Sequence, residues 1–233
     1  GVMQTVRTPA VAGLFYPADA KELHTQVWQF LSQVKPADDL PPKAIIVPHA
    51  GYIYSGPIAA SAYARLKTAR DVIHRVVLLG PSHRIGFRGI AVSGMTAFAT
   101  PLGQVPVDRT AVEQVRKLPN VGVLEQAHAQ EHSLEVHLPF LQEVLREFKL
   151  APLVVGDARP QEVGAVLEAL WGGPETLIVI SSDLSHYQGY QAARLLDSAT
   201  SQAIEALRFE DIGYEQACGR NPVNGLLWVA RRK

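Results

Sequence analysis

The chain has 233 residues, with 22 basic and 22 acidic side chains and a formal net charge of zero, so no overall field draws it toward polyanions. Hydrophobic residues make up 47% and charged residues 19%, a globular composition with enough material for one sizeable core. Its one cysteine, Cys218, excludes an internal disulfide, and no stretch reaches the roughly 18 apolar residues of a membrane span. The expectation is therefore a cytoplasmic protein that binds neither nucleic acid nor membrane.

No linker, repeat or low-complexity block divides the sequence, so residues 1–233 are read as a single domain. Residues 18–34 form an amphipathic helix, with Leu23, Val27, Phe30, Leu31 and Val34 at helical spacing and Asp19 near the start. The apolar run 44–47 follows as a strand. Gly56 and Pro57 open a second helix over 58–66, and 75–79 is the next strand, completing a βαβ unit. Residues 89–93 and 103–107 read as short strands that extend the sheet antiparallel. Asp108 caps a helix to about residue 118.

Residues 131–148 carry a helical pattern that Pro139 interrupts, which predicts a kink or two abutting segments. A strand at 152–155, a helix at 161–170 and a buried strand at 177–180 come next. Helix is expected again over 189–207, after residue 211 and over 223–230. Strands alternating with helices predict an α/β fold, one three-layer domain around a largely parallel or mixed sheet. The apolar run 225–230 has only Arg231, Arg232 and Lys233 after it, so a further sheet element is expected beyond Lys233.

Three of the strands deliver a histidine. Residues 44–47 lead to His49, residues 75–79 to His83, and residues 177–180 through Ser181, Ser182 and Asp183 to His186. Ligands in open α/β sheets bind beyond the carboxyl ends of the strands, so these imidazoles are expected to meet in a metal or acid/base site. Neutral imidazole suits Fe, Zn and Cu. His186 is a candidate general acid/base, oriented by Asp183. In the stretch 128–137, which holds three histidines and two glutamates, helical spacing lets only some face one ligand. Glu131, His132 and His137 are the preferred pocket-lining residues, and Tyr54 is a candidate wall beside His49. Cys218 is either a small buried hydrophobe or a thiolate.

Taken together, the segments Pro-His-Ala-Gly-Tyr-Ile-Tyr-Ser-Gly at 48–56, Gly-Pro-Ser-His at 80–83, Glu-His-Ser-Leu-Glu-Val-His-Leu-Pro-Phe at 131–140, Ser-Ser-Asp-Leu-Ser-His-Tyr at 181–187 and Cys-Gly-Arg at 218–220 resemble the Memo family. This group, also called the AmmeMemoRadiSam system protein B family, is related to class III extradiol dioxygenases. Ala-Gly-Leu-Phe-Tyr-Pro at 12–17 fits as well, and the resemblance spans nearly the whole chain in order. It implies the fold of the extradiol-dioxygenase B subunit, with His49, His83 and Cys218 as metal ligands, His186 as the catalytic base beside Asp183, and His132 and His137 lining the pocket. Cys218 stands where the ring-cleaving relatives are expected to carry glutamate, so their substrate does not transfer.

The leading expectation is a mononuclear non-haem metal site using O2, with Fe(2+) first and Cu or Zn as alternatives, acting on a small molecule or peptide. A radical-enzyme system partner is implied by the resemblance alone. The contrasting readings are a non-catalytic phosphopeptide- or metal-binding module that kept the fold, a metal-free thiol enzyme using Cys218 and His186, and a zinc hydrolase.

Overall fold

The computed structural model describes residues 5–35, 41–182 and 220–230. Its centre is a six-stranded sheet built from β2 (Ala44–Val47), β3 (Arg75–Pro81), β4 (Ile90–Val92), β7 (Val121–Val123), β8 (Lys149–Val155) and β9 (Thr176–Ser181), in the order β2-β9-β3-β8-β4-β7. The first four strands in that order are mutually parallel. β4 runs antiparallel to β8 and carries β7 parallel to itself, so the sheet is mixed. A smaller sheet joins β1 (Val6–Arg7), β5 (Ala97–Thr100) and β6 (Gly103–Pro106). The antiparallel extension expected for 89–93 is β4; the one expected for 103–107 belongs to the small sheet instead.

Strands β2, β3 and β9 are buried almost throughout, as expected for parallel strands covered on both faces. One helical group is α1 (Ala20–Ser32), α2 (Tyr52–Tyr63) and α6 (Leu138–Val144), which pack against one another. The other is α3 (Arg109–Arg116), α7 (Pro160–Ala169) and α8 (Arg220–Ala230). Asp19 caps α1 by accepting from the Glu22 N–H at 2.9 Å, and Asp108 caps α3 by accepting from Ala111 N–H at 3.0 Å.

Two differences from the sequence expectation have physical causes. Strands β2 and β3 share a sheet but are not neighbours, because β9 inserts between them and pairs with both. Helix α2 begins at Tyr52, behind Gly51, and carries Pro57 inside it. The buried Tyr52 sets that start: its N–H donates to the Phe15 carbonyl at 2.8 Å and its hydroxyl to Val136 O at 2.6 Å. The carbonyl that Pro57 leaves without its helical donor belongs to Ile53, an exposed residue that water can serve. The apolar stretch at 220–230 packs on an earlier helix. Val223, Leu226 and Val229 are buried, and α8 lies on α7.

The region around Pro139 is divided as expected. Short helices α4 (Glu125–Ala129) and α5 (His132–Glu135) precede α6, and Pro139 sits in the first turn of α6, where its missing N–H costs nothing. Among the described residues no helix is long and apolar enough to cross a membrane.

Candidate metal centre

The carboxyl ends of β2, β9 and β3 lie side by side, with β9 in the middle. Val47 is in register with Ser181, and Ser182 N–H donates to Val47 O at 2.9 Å. Beyond β2 the chain places His49, which is 4% exposed. Beyond β3 it places His83, whose side chain is 22% exposed. Helix α5 approaches from a third direction and contributes His132.

Gly80 allows that approach. A Cβ there would lie 2.7 Å from Ser133 Oγ and 2.8 Å from Leu134 Cδ2, so any side chain would push α5 off the end of β3. Ser133 takes the space and donates to Pro81 O at 3.0 Å.

The three imidazoles meet. Ring centroids are 5.0 Å apart for His49 and His83, 4.5 Å for His83 and His132, and 5.5 Å for His49 and His132. One ring nitrogen from each lies within 4.8 Å of the other two, a group that can hold a metal ion. Three neutral nitrogen donors suit Fe, Cu or Zn, and are a poor match for the all-oxygen shells of Mg or Ca.

Glu131 backs the cluster. Its carboxylate accepts from His83 Nδ1–H at 2.8 Å and from the backbone N–H groups of His83 and of Ser133. Burial alone would raise its pKa, but the His83 and Ser133 hydrogen bonds outweigh that and bring it down to about 2. The carboxylate is thus ionised and demands a proton on His83 Nδ1, which puts that ring's lone pair on Nε2. A ligating histidine whose other ring N–H is held by a carboxylate is the usual way a protein orients such a donor. His132 Nδ1 lies 3.6 Å from the same carboxylate, an electrostatic contact rather than a hydrogen bond. The pKa of His49 is lowered by burial and then by the neighbouring His83, His137 and His132; that of His132 is lowered by burial and His83. Both are therefore neutral at physiological pH, the form that can ligate.

Behind His49 the site continues inward. His49 Nδ1 is 3.0 Å from Ser181 Oγ, which is 2.9 Å from His137 Nε2, and His137 Nδ1 is 2.8 Å from the Tyr63 hydroxyl. His137, expected to line the pocket, is only 1% exposed and stands one hydrogen-bonded layer behind His49. Tyr54 is 80% exposed on α2. Asp183, His186 and Cys218 lie outside the described residues.

A second buried carboxylate fixes the outer wall. Glu135 accepts from Arg7 Nη1 at 2.8 Å, from the N–H groups of Ala10 and Val11 at 2.8 and 3.0 Å, and from the Tyr16 hydroxyl at 2.7 Å. Arg7 also donates to the carbonyls of His128 and Glu131. These bonds tie the segment 7–16 to the helix carrying His132 and seat Phe15 with its ring centroid 4.6 Å from that of His132. Sequence reasoning did not find Ser181, Tyr63, Arg7, Glu135 or Phe15 as site-building residues. The usable signals were Ser181 at the end of a buried strand, and a buried Arg and Glu that must pair.

The profile of the Memo-like protein family matches residues 7–232. A MEMO1 family protein of Aquifex aeolicus is 42% identical over 214 residues, covering 90% of this chain and 78% of the relative. The corresponding protein of Sulfolobus acidocaldarius is 33% identical over 251 residues (97% and 88% covered), and that of Thermotoga maritima 37% over 219 residues (86% and 78%). The chain belongs to the Memo-like protein family.

Proposed function

We propose that this protein is a mononuclear non-haem metal oxidoreductase that uses O2, with iron as the resident metal in preference to copper or zinc. The observation that carries the reading is the convergence of His49, His83 and His132 from three separate segments, backed by the ionised Glu131. His49 and His83 are the proposed imidazole ligands and Cys218 the proposed anionic one, as the family resemblance implies. His132 stands close enough to join them.

The chain's own residues then have defined tasks. Glu131 holds His83 in the tautomer that ligates through Nε2. Phe15 lies against His132 and keeps water from that side of the cluster. His186 is proposed to move protons to and from the substrate, with Asp183 orienting it. When bound, a divalent ion supplies Lewis-acid and one-electron chemistry toward O2. A thiolate donor is more electron-rich than carboxylate and favours such redox work over simple water activation.

The test is elemental analysis of protein purified without a metal-affinity tag, followed by O2-consumption assays with a reductant on the iron-loaded form. Near-stoichiometric iron lost in His49→Ala and Cys218→Ser supports the reading. Metal content unchanged by both substitutions overturns it.

One observation favours a second reading, a peptide-binding module. Leu14, Ile53 and Tyr54 are 79%, 84% and 80% exposed on the two segments that meet at Phe15 and Tyr52. Such side chains suit an apolar peptide. A phosphate subsite gains little support: of Arg84, Arg88 and Arg220, Arg88 is committed to Glu162 and the Asp157 carbonyl, the side chain of Arg220 lies outside the described residues, and Arg84 alone acts on the cluster, at His132. Peptide binding that persists in metal-free protein, without any O2 uptake, distinguishes this reading.

A further inference from the structure

We propose that Arg84 anchors a carboxylate of the substrate, and that the metal centre acts on an amphipathic organic acid whose apolar body lies against Phe15. The inference rests on the metal reading above and names the class of molecule that enters the site.

Beyond β3 the chain bends at His83 and Arg84. Ser82 N–H donates to Val155 O at 3.0 Å and fixes the start of the bend; the Ser82 hydroxyl donates to Ile85 O and closes it. Glu131 then draws His83 into the cluster by accepting from both its backbone N–H and its Nδ1–H. Arg84 follows directly, its Cα about 3.8 Å further along the chain, and stays exposed. Its positive charge bears on the His132 ring.

The cluster opens on this side. His49 is 4% exposed, whereas the side chains of His132 and His83 are 15% and 22% exposed. The nearby carboxylates are buried and already engaged, Glu131 with His83 and Ser133, and Glu135 with Arg7. Arg7 is spent in that interior pair and Arg88 on Glu162. Arg84 makes neither an ion pair nor a hydrogen bond among the described residues. Of these charged groups it is the one left for a ligand.

The chemistry of the opening selects the ligand. A guanidinium presents parallel N–H groups that match the two oxygens of a carboxylate. A phosphate group is usually met by a cluster of arginines, which this opening lacks. The apolar component comes from the facing segment: the Phe15 ring centroid lies 4.6 Å from that of His132, and the neighbouring Leu14 is 79% exposed. His132 is thus the common neighbour of a cation and an apolar ring. A molecule that reaches the cluster past His132 satisfies both only if it carries an acid group on an apolar body.

The experiment is calorimetric titration of the whole protein, zinc-loaded and metal-free, with hexanoate, hexanamide and hexylammonium as probes. Hexanoate should bind the zinc-loaded protein about tenfold more tightly than hexanamide, and hexylammonium should not bind. Arg84→Gln should weaken hexanoate binding about tenfold while leaving hexanamide binding and zinc content as they are. Arg84→Lys keeps the charge without the paired N–H groups, so it should recover part of the loss. Hexanoate binding that is absent, equal to that of hexanamide, or unmoved by Arg84→Gln overturns the inference and leaves the metal reading standing. A protein that retains no zinc is a different failure, that of the metal reading. In that case hexanoate binding to the metal-free protein that Arg84→Gln weakens upholds the anchor, and binding indifferent to Arg84 overturns it.

Discussion

Glu131 holds His83 at two points, the ring Nδ1 at 2.8 Å and the backbone N–H, while capping the helix that carries His132. One carboxylate thus orients one imidazole and places another. Replacing Glu131 by Gln keeps an acceptor for the cap but removes the charge that fixes the His83 proton on Nδ1. Metal affinity, measured by competition with a chromophoric chelator, should fall 10–100-fold with little change in thermal stability. An unchanged affinity would show that His83 needs no such support.

The part played by His132 is separable from that of Cys218. If His132 is a donor, His132→Ala should lower metal affinity at least tenfold and alter the electronic spectrum of a cobalt-substituted protein. If it only forms the wall, the spectrum should stay as it is while Cys218→Ser removes the thiolate charge-transfer band. Spectra of the two variants, recorded side by side, decide between these roles.

How much of this was legible in the sequence follows from what each residue's neighbours reveal. His49 and His83 could be found because each follows a buried strand, and strand ends in an α/β sheet share an edge. The sheet order could not, since nothing local in 176–181 says that β9 pairs between β2 and β3 rather than beside them. Yet that insertion is what puts Ser181 between the two histidine-bearing loops. His132 and His137 come from one short segment, and both read there as candidates for lining the same pocket. The break between α5 and α6 sends His132 to the cluster and His137 behind His49, a distinction that only the packing makes. Tyr63 lies seven residues beyond the 48–56 segment, outside every motif, and reads simply as a core aromatic.

The buried pair of Arg7 and Glu135 should be far more important for stability than a surface ion pair. Their side chains are 5% and 0% exposed, and the carboxylate accepts four hydrogen bonds. Glu135→Ala strands the guanidinium in the interior and should cost about 3–5 kcal/mol by denaturant unfolding. The same change releases the segment 7–16, so Phe15 should leave His132 and the cluster should bind metal more weakly. Full stability in Glu135→Ala would refute the clamp.

Helices α7 and α8 meet through paired glycines. A Cβ on Gly164 would lie 2.2 Å from the Trp228 ring, and one on Gly225 2.4 Å from Val163 Cγ1. Gly225→Ala therefore gains helix propensity of roughly 1 kcal/mol but overpacks the seam. The clash should win, giving a net loss of about 1–2 kcal/mol and a lower melting temperature. A stabilised variant would mean that the seam can open without penalty.

Stability should also fall with acid before the carboxylates titrate, because of His128. It is buried, donates from Nε2 to Ala91 O at 3.0 Å, and leaves Nδ1 without a partner. Burial lowers its pKa from 6.5 to about 4. Between those values the unfolded chain binds a proton that the folded protein does not, so stability rises with pH across that window and drops as pH falls through it. One such group gives a slope of up to about 1.4 kcal/mol per pH unit. His128→Gln keeps a donor for Ala91 and cannot titrate, so the slope measured by urea unfolding between pH 6 and pH 4.5 should shrink by about one proton. An unaltered slope in that variant would place the acid sensitivity elsewhere, with His137 as the next residue to replace.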